Sequence, residues 1–207
     1  TGASYLWAQN AIMVSPALLQ PPIADVADDA LLYGRLGVII AHELCHGFDD
    51  QGRRFDERGQ LRDWWDKEDE RRYQALARRL AEQYSGYRLP AIGNVDGELT
   101  LGENIADLAG LQIAFTAFQR LLAQGRASKE AKDGLTPEQR FFIGFAQLFR
   151  QRMSPRAQRD ALKTDLHAPA RFRVLGVVRH VRGFHRAFGT KKGDALYVAP
   201  ERRLLLF

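Results

Sequence analysis

A mainly α fold with a small β element is what the sequence predicts, and three observations predict it. Apolar residues recur at helical spacing through several long stretches, helix-start signals precede two of them, and only the first dozen residues mix β-branched, aromatic and small side chains as a strand does. With 207 residues, 45% of them hydrophobic and three of them tryptophan, the chain can fill one packed core. No repeat, low-complexity linker or composition shift divides it, so residues 1–207 are read as a single domain.

Taken in order, "ASYLWAQNAIMV" supplies a short strand, and "QPPIADVADD" follows as a loop because its prolines oppose helix. Residues 31–47 read as a helix that is apolar almost all round and therefore buried, with Gly47 at the expected C-cap. "DDQGRRFDERGQLRDWW" is a glycine-punctuated loop ending on an aromatic pair. Residues 66–85 carry mixed charge on a 3.6-residue period and form a surface helix, and "YRLPAIGNVDGEL" is a second loop. A long helix runs from Thr100 to about Gln124. Thr136-Pro137-Glu138-Gln139 reads as N-cap, N1 proline and capping-box glutamine before the apolar "FFIGFAQLF" helix, and a last helix covers "VVRHVRGFHRAF".

Composition excludes several classes. Thirty Lys and Arg against 25 Asp and Glu give a net charge of +5, but acids interleave the arginines, as in "DERGQLRDWWDKEDERR". That is a solvated mixed-charge surface without the clustered basic tail or recognition motif of a nucleic-acid binder. The single cysteine, Cys45, rules out an intramolecular disulfide framework. No apolar run approaches the ~20 residues of a membrane-spanning helix, and "TGASYLWAQN" is not a signal peptide.

The chemistry concentrates in "GVIIAHELCHGFDD". On a helix His42 and His46 stand about 40° apart in rotation and can offer imidazole nitrogens to one ion, while Glu43 lies about 100° from His42. Two imidazoles holding a zinc ion, with a glutamate as general base for the attacking water, is the metallopeptidase arrangement. The alternative, two packed core histidines, leaves a carboxylate and two imidazoles buried without a partner, which is costly. An open zinc site needs a third ligand. In "GELTLGENIADLAGL", Glu103 is the candidate, and Asp107 one turn on can accept the second N–H of a ligating histidine. Thr100-x-x-Glu103 also fits a capping box, which would tie Glu103 to a helix start instead.

Four segments in order, "VIIAHELCHGFDDQGRRFDERGQLRDWW", "GELTLGENIADLAGL", "TDLHAPARFRVLG" and "FHRAFGTKKGDALY", together with "NAIMVSPALLQPP", resemble the catalytic domain of the neprilysin family of zinc metallopeptidases, in its bacterial type. The resemblance covers nearly the whole chain. It implies a thermolysin-like (gluzincin) catalytic domain with one zinc ion (Zn2+) per chain, held by His42, His46 and Glu103, and with Glu43 as general base. Asp107 and Asp49 would orient the histidine ligands. His167, partnered by Asp165, would stabilise the tetrahedral intermediate, and Arg173 would grip a substrate carbonyl. Residues Ala3 to Tyr5 would be the edge strand that pairs with the peptide main chain.

Departures from the family pattern accompany this. Gly2 stands where an asparagine that bonds substrate backbone is usual. Cys45 is read as a small buried hydrophobe rather than a ligand. Phe149 replaces a tryptophan that shapes the S1′ pocket, keeping it apolar and favouring bulky hydrophobic residues after the cut. Ala168 replaces a serine, and "ERRLLLF" replaces a cysteine-containing end. The family's N-terminal helical lid domain is absent, so that domain, in a longer chain, is an expected partner beside peptide substrates. The resemblance leaves the compartment open, favouring a periplasmic or secreted location over a cytoplasmic one. The expected function is zinc-dependent endopeptidase acting on oligopeptides. The rival is a catalytically impaired domain serving as a binding scaffold, against which stands the presence of every expected ligand together with His167 and Arg173.

Overall fold

A computed structural model describes residues 2–24 and 27–206; Asp25 and Val26 of the first predicted loop, and Phe207 of the tail, lie outside the described residues. The first dozen residues form a hairpin rather than one strand. β1 (Ala3–Leu6) pairs antiparallel with β2 (Ala11–Val14), with Ala3 opposite Val14 and Leu6 opposite Ala11. A 3-10 turn, Trp7–Gln9, joins them and closes on Asn10 at φ 47°, a left-handed conformation that asparagine tolerates. Four-residue strands alternate too briefly for the sequence to mark the turn between them.

The buried helix starts two residues earlier than expected, with the Asp28 carboxylate accepting from the backbone N–H groups of Ala30 and Leu31 at 3.0 and 3.4 Å. α1 (Asp29–Leu32) passes through a π-helical turn, Tyr33–Gly37, into α2 (Val38–Cys45). Gly47 is not its left-handed C-cap: His46 holds that place in right-handed conformation, and Gly47 is absent from the positive-φ residues. A Cβ at Gly47 would lie 2.9 Å from the hydroxyl at the tip of the Tyr5 side chain of β1, which would have to shift to admit it.

α3 (Lys67–Ser85) is capped by Asp66, and β3 (Arg88–Leu89) with β4 (Gly93–Asn94) makes a minimal hairpin inside the second predicted loop. α4 (Leu101–Ala123) is apolar on almost every side, which is the pattern of a central helix, and it touches α2, α3 and α7. Ile105, Leu108, Leu111 and Phe118 of α4 are fully buried with Leu80, Tyr84, Phe141, Phe145 and Val177. α5 (Pro137–Leu148) has the predicted capping box, Thr136 and Gln139 exchanging side-chain and backbone bonds.

α6 (Pro155–Thr164), with no buried residue, was not anticipated; its only sequence signal is the Ser154 cap followed by Pro155. The expected last helix is two: α7 (Ala170–Val178) and α8 (Arg182–Phe188). They part because His180 is held by tertiary bonds, its Nδ1 accepting the Leu204 N–H at 3.1 Å and its Nε2–H donating to Gln83 Oε1 at 2.7 Å. No helix among the described residues is long and apolar enough to cross a membrane.

Candidate active site and metal centre

α2 and α4 cross closely because small residues line the contact. Ala106 and Ala109 are fully buried there against Cys45, and a Cβ at Gly110 would sit 2.7 Å from the His42 backbone nitrogen. This crossing brings His42 and His46 of one helix against Glu103 and Asp107 of the other.

Each imidazole is fixed by a carboxylate at Nδ1. His42 Nδ1 lies 2.9 Å from Asp107 Oδ1, and His46 Nδ1 lies 2.6 Å from Asp49 Oδ2. A carboxylate accepts, so Nδ1 carries a proton on both rings, and each ring when neutral turns an Nε2 lone pair the other way. These Nε2 atoms are 3.0 Å apart, and Glu103 brings its oxygens to 3.2 Å from His42 Nε2 and 3.6 Å from His46 Nε2. Among the described residues His42, His46 and Glu103 form a group whose ligand atoms lie within 4.8 Å of one another. Two imidazoles and a carboxylate converging on one point can hold a cation between them, and that combination is a zinc donor set. Without a metal, a proton on His42 takes that place: burial opposes charging the ring, yet its bonds to Asp107 and Glu103 carry its pKa up to about 9, and a metal ion would displace that proton. Glu103, despite burial, is held well below the carboxylate range by His167 and His42.

The capping-box alternative for Glu103 does not form. Thr100 makes no side-chain cap; its hydroxyl donates to the Asp96 carbonyl at 2.8 Å and accepts from Asn104 Nδ2 at 2.9 Å. Glu43, 7% exposed, makes no hydrogen bond or ion pair through its carboxylate among the described residues. Burial raises its pKa, opposed by His42 and His46. Cys45 is sealed between the helices, burial pushing its thiol up to about 12.

His167 Nδ1 and its backbone N–H both lie 2.9 Å from Asp165 Oδ1, and His167 Nε2 is 3.1 Å from Glu103 Oε2. The contact with Glu103 raises its pKa against the effect of burial. Arg173 grips Asp107 with two bonds of 2.7 Å, reaches Glu103 Oε2 at 3.5 Å, and stacks 4.9 Å over the Phe149 ring. Its Nη1 makes no hydrogen bond among the described residues. Beside these groups lies a cavity of about 350 Å³ whose walls include Leu148, Phe149, Leu162, Ala168, His167 and Arg173. β1, with Ala3, pairs only with β2 among the described residues, which leaves its other edge open.

Three positioning contacts escaped the sequence reading. Trp7 Nε1 donates to the His46 carbonyl at 3.1 Å and ties the hairpin to the end of α2. Gly110 permits the helix crossing, and a glycine inside an apolar helix was its available signal. The bidentate hold of Arg173 on Asp107 joins residues 66 apart and left no local trace.

The model of peptidase family M13 matches residues 2–204. Endothelin-converting enzyme 1 of Homo sapiens is 37% identical over 196 residues, covering 94% of this chain and 25% of that protein. Membrane metallo-endopeptidase-like 1 of Mus musculus is 37% identical over 193 residues, covering 91% and 25%. The crystal structure of Mycobacterium tuberculosis zinc metalloprotease ZMP1 with inhibitor aligns at a TM-score of 0.91 and 42% identity, over 99% of this chain and 32% of that one. PEPO from Lactobacillus rhamnosis aligns at 0.86 and 32% identity, over 98% and 30%. The chain thus spans about a quarter of the length of the curated relatives it matches.

Proposed function

We propose, for a chain that belongs to peptidase family M13, the neprilysin family its motifs resemble, that it hydrolyses peptide bonds as a zinc-dependent endopeptidase. The observation that carries this reading is the convergence of two tautomer-locked imidazoles and Glu103 beside the unengaged carboxylate of Glu43. His42, His46 and Glu103 would hold one zinc ion, which when bound polarises the scissile carbonyl and makes the attacking water more acidic.

Glu43 takes the proton of that water and passes it to the leaving amine, a role suited to a buried carboxylate with a raised pKa. Asp107 and Asp49 keep the ligating rings in their tautomer. His167, oriented by Asp165 at Nδ1, offers an Nε2–H to the developing oxyanion in its charged form, which the neighbouring carboxylates of Glu103 and Asp165 favour. Arg173, rigid on Asp107, turns its remaining N–H groups to a substrate carbonyl. The open edge of β1 at Ala3 accepts the peptide main chain as an added strand. Leu148, Phe149 and Leu162 give the cavity beside His167 an apolar side that suits a bulky hydrophobic residue after the cut. The rest of a longer M13-type protein is the partner proposed for this catalytic domain.

Hydrolysis of a quenched fluorescent peptide mixture by zinc-loaded protein, with Glu43→Gln in parallel, tests the reading. Cleavage before bulky hydrophobic residues, reduced by ~10²-fold or more in the variant and abolished by chelation, is the expected result. One zinc per chain in the full-length protein without cleavage would instead favour the scaffold reading.

A further inference from the structure

A second cleft, of about 860 Å³, lies between α3, the junction of α7 with α8, and the C-terminal tail, and shares no lining residue with the cavity beside His167. Four cations line it, Arg79, Arg179, Lys192 and Arg202, and they outnumber its carboxylates, Glu82 and Glu201, by two. None of the four makes an ion pair among the described residues. Arg79 spends one Nη2 proton on the Arg202 carbonyl at 2.9 Å, and Arg179 uses Nη1 on the Tyr87 hydroxyl at 3.3 Å. Arg179 Nε is buried with no hydrogen-bond partner among the described residues. With no carboxylate beside it, this guanidinium leaves its charge uncompensated in the cleft wall, and an anion in the cleft would offset that cost.

We propose that this cleft binds a dianionic phosphate group, free or carried on a small organic molecule. Guanidinium forks match the tetrahedral oxyanion, which accepts two parallel bonds from one arginine while neighbouring cations supply charge. The excess of two positive charges equals the charge of one phosphate dianion. His180 reports the uncompensated field: burial first, then the positive charges of Arg179 and Arg79, lower its pKa to about 4. Neutral His180 spends both ring nitrogens on Leu204 and Gln83, so it shapes the floor without competing for the anion.

The test is calorimetric titration of the zinc-loaded full-length protein with inorganic phosphate and, separately, glycerol phosphate, against sodium chloride at matched ionic strength. Saturable binding of one phosphate at this cleft, weakened at least tenfold in Arg179→Gln, is expected. Lys192→Gln and Arg79→Gln change exposed side chains, should leave the fold intact, and should each weaken binding severalfold. Tighter binding of glycerol phosphate would assign an organic phosphate, and equal or tighter binding of inorganic phosphate the free ion. No saturable binding of either, or an affinity unchanged in all three variants, would overturn the proposal.

Discussion

Asp49 settles which nitrogen His46 offers. Its Oδ2 holds the ring at Nδ1, while its Oδ1 accepts the backbone N–H groups of Gln51 and Gly52 at 2.8 and 2.6 Å. Asp49→Asn keeps the loop bonds but turns a charged acceptor into a neutral amide, so His46 loses basicity and a fixed tautomer. Zinc affinity should fall ~10–100-fold, read by competition with a chromogenic chelator, while the thermal midpoint of the metal-free protein changes little. A zinc Kd within twofold of the parent would show that Asp49 serves only the loop. At this scale the sequence was legible where chemistry is local: His42, Glu43 and His46 follow from spacing along one helix. Glu103 was legible but ambiguous, because Thr100-x-x-Glu103 satisfies a cap pattern as well as a ligand pattern, and only the bonds of Thr100 to Asp96 and Asn104 separate the two. The grip of Arg173 on Asp107 depends on how α7 packs on α4 and has no local signature.

The crossing of α2 and α4 is where element geometry becomes site geometry. A methyl group at Gly110 would meet the His42 backbone nitrogen and Cα at 2.7 and 2.8 Å, and backbone cannot swing aside as a side chain does. Gly110→Ala should therefore push the helices apart, cost about 1–3 kcal/mol, and weaken zinc binding with it, since the proposed ligands come from both helices. Urea unfolding and zinc titration of the same variant check this; loss of stability with an unchanged zinc Kd would mean that the ligand set tolerates the displacement. A second joint lies between α1 and α5. Arg140 Nε donates to Asp28 Oδ2 at 2.8 Å, the two side chains being 10% and 7% exposed, and Arg140 Nη1 also holds the carbonyls of Glu130 and Leu135. Arg140→Met strands a buried carboxylate and should cost about 3–5 kcal/mol in urea unfolding, with much of it recovered in the double variant with Asp28→Asn. The capping box of α5 and the all-round apolarity of α4 were legible because they are properties of one element. The break between α7 and α8 was not, because it is set by Leu204, 24 residues beyond His180.

Over the whole molecule, the C-terminal tail links the cationic cleft to the back of the metal centre. Leu204 gives its N–H to His180 Nδ1 and its carbonyl accepts from Gln112 Nε2 on α4, and Leu206 packs against Cys45, Ala106 and Ala109 at the crossing of α2 and α4. "ERRLLLF" revealed none of this in sequence, since nothing in seven residues says what surface they cover. The His180 anchor requires a neutral ring, because protonation would turn Nδ1 from acceptor to donor facing the Leu204 N–H. The folded-state pKa of about 4 lies below the ordinary histidine value of 6.5, through burial and then the charges of Arg179 and Arg79. Below pH 6.5 the unfolded chain therefore takes up a proton that the folded chain refuses. This contribution to stability is complete above pH 6.5 and is lost progressively as pH falls from there towards 4. At about 1.4 kcal/mol per pH unit it reaches at most roughly 3 kcal/mol. Carboxylates and the metal site titrate over part of the same range, so the measurement is a difference. Urea unfolding free energies of zinc-loaded parent and His180→Gln, whose side-chain carbonyl can still accept from Leu204, are compared at pH 7.5 and pH 5. The parent should lose about 1–2 kcal/mol more than the variant between the two, and equal losses would mean that folding leaves the proton affinity of His180 unchanged.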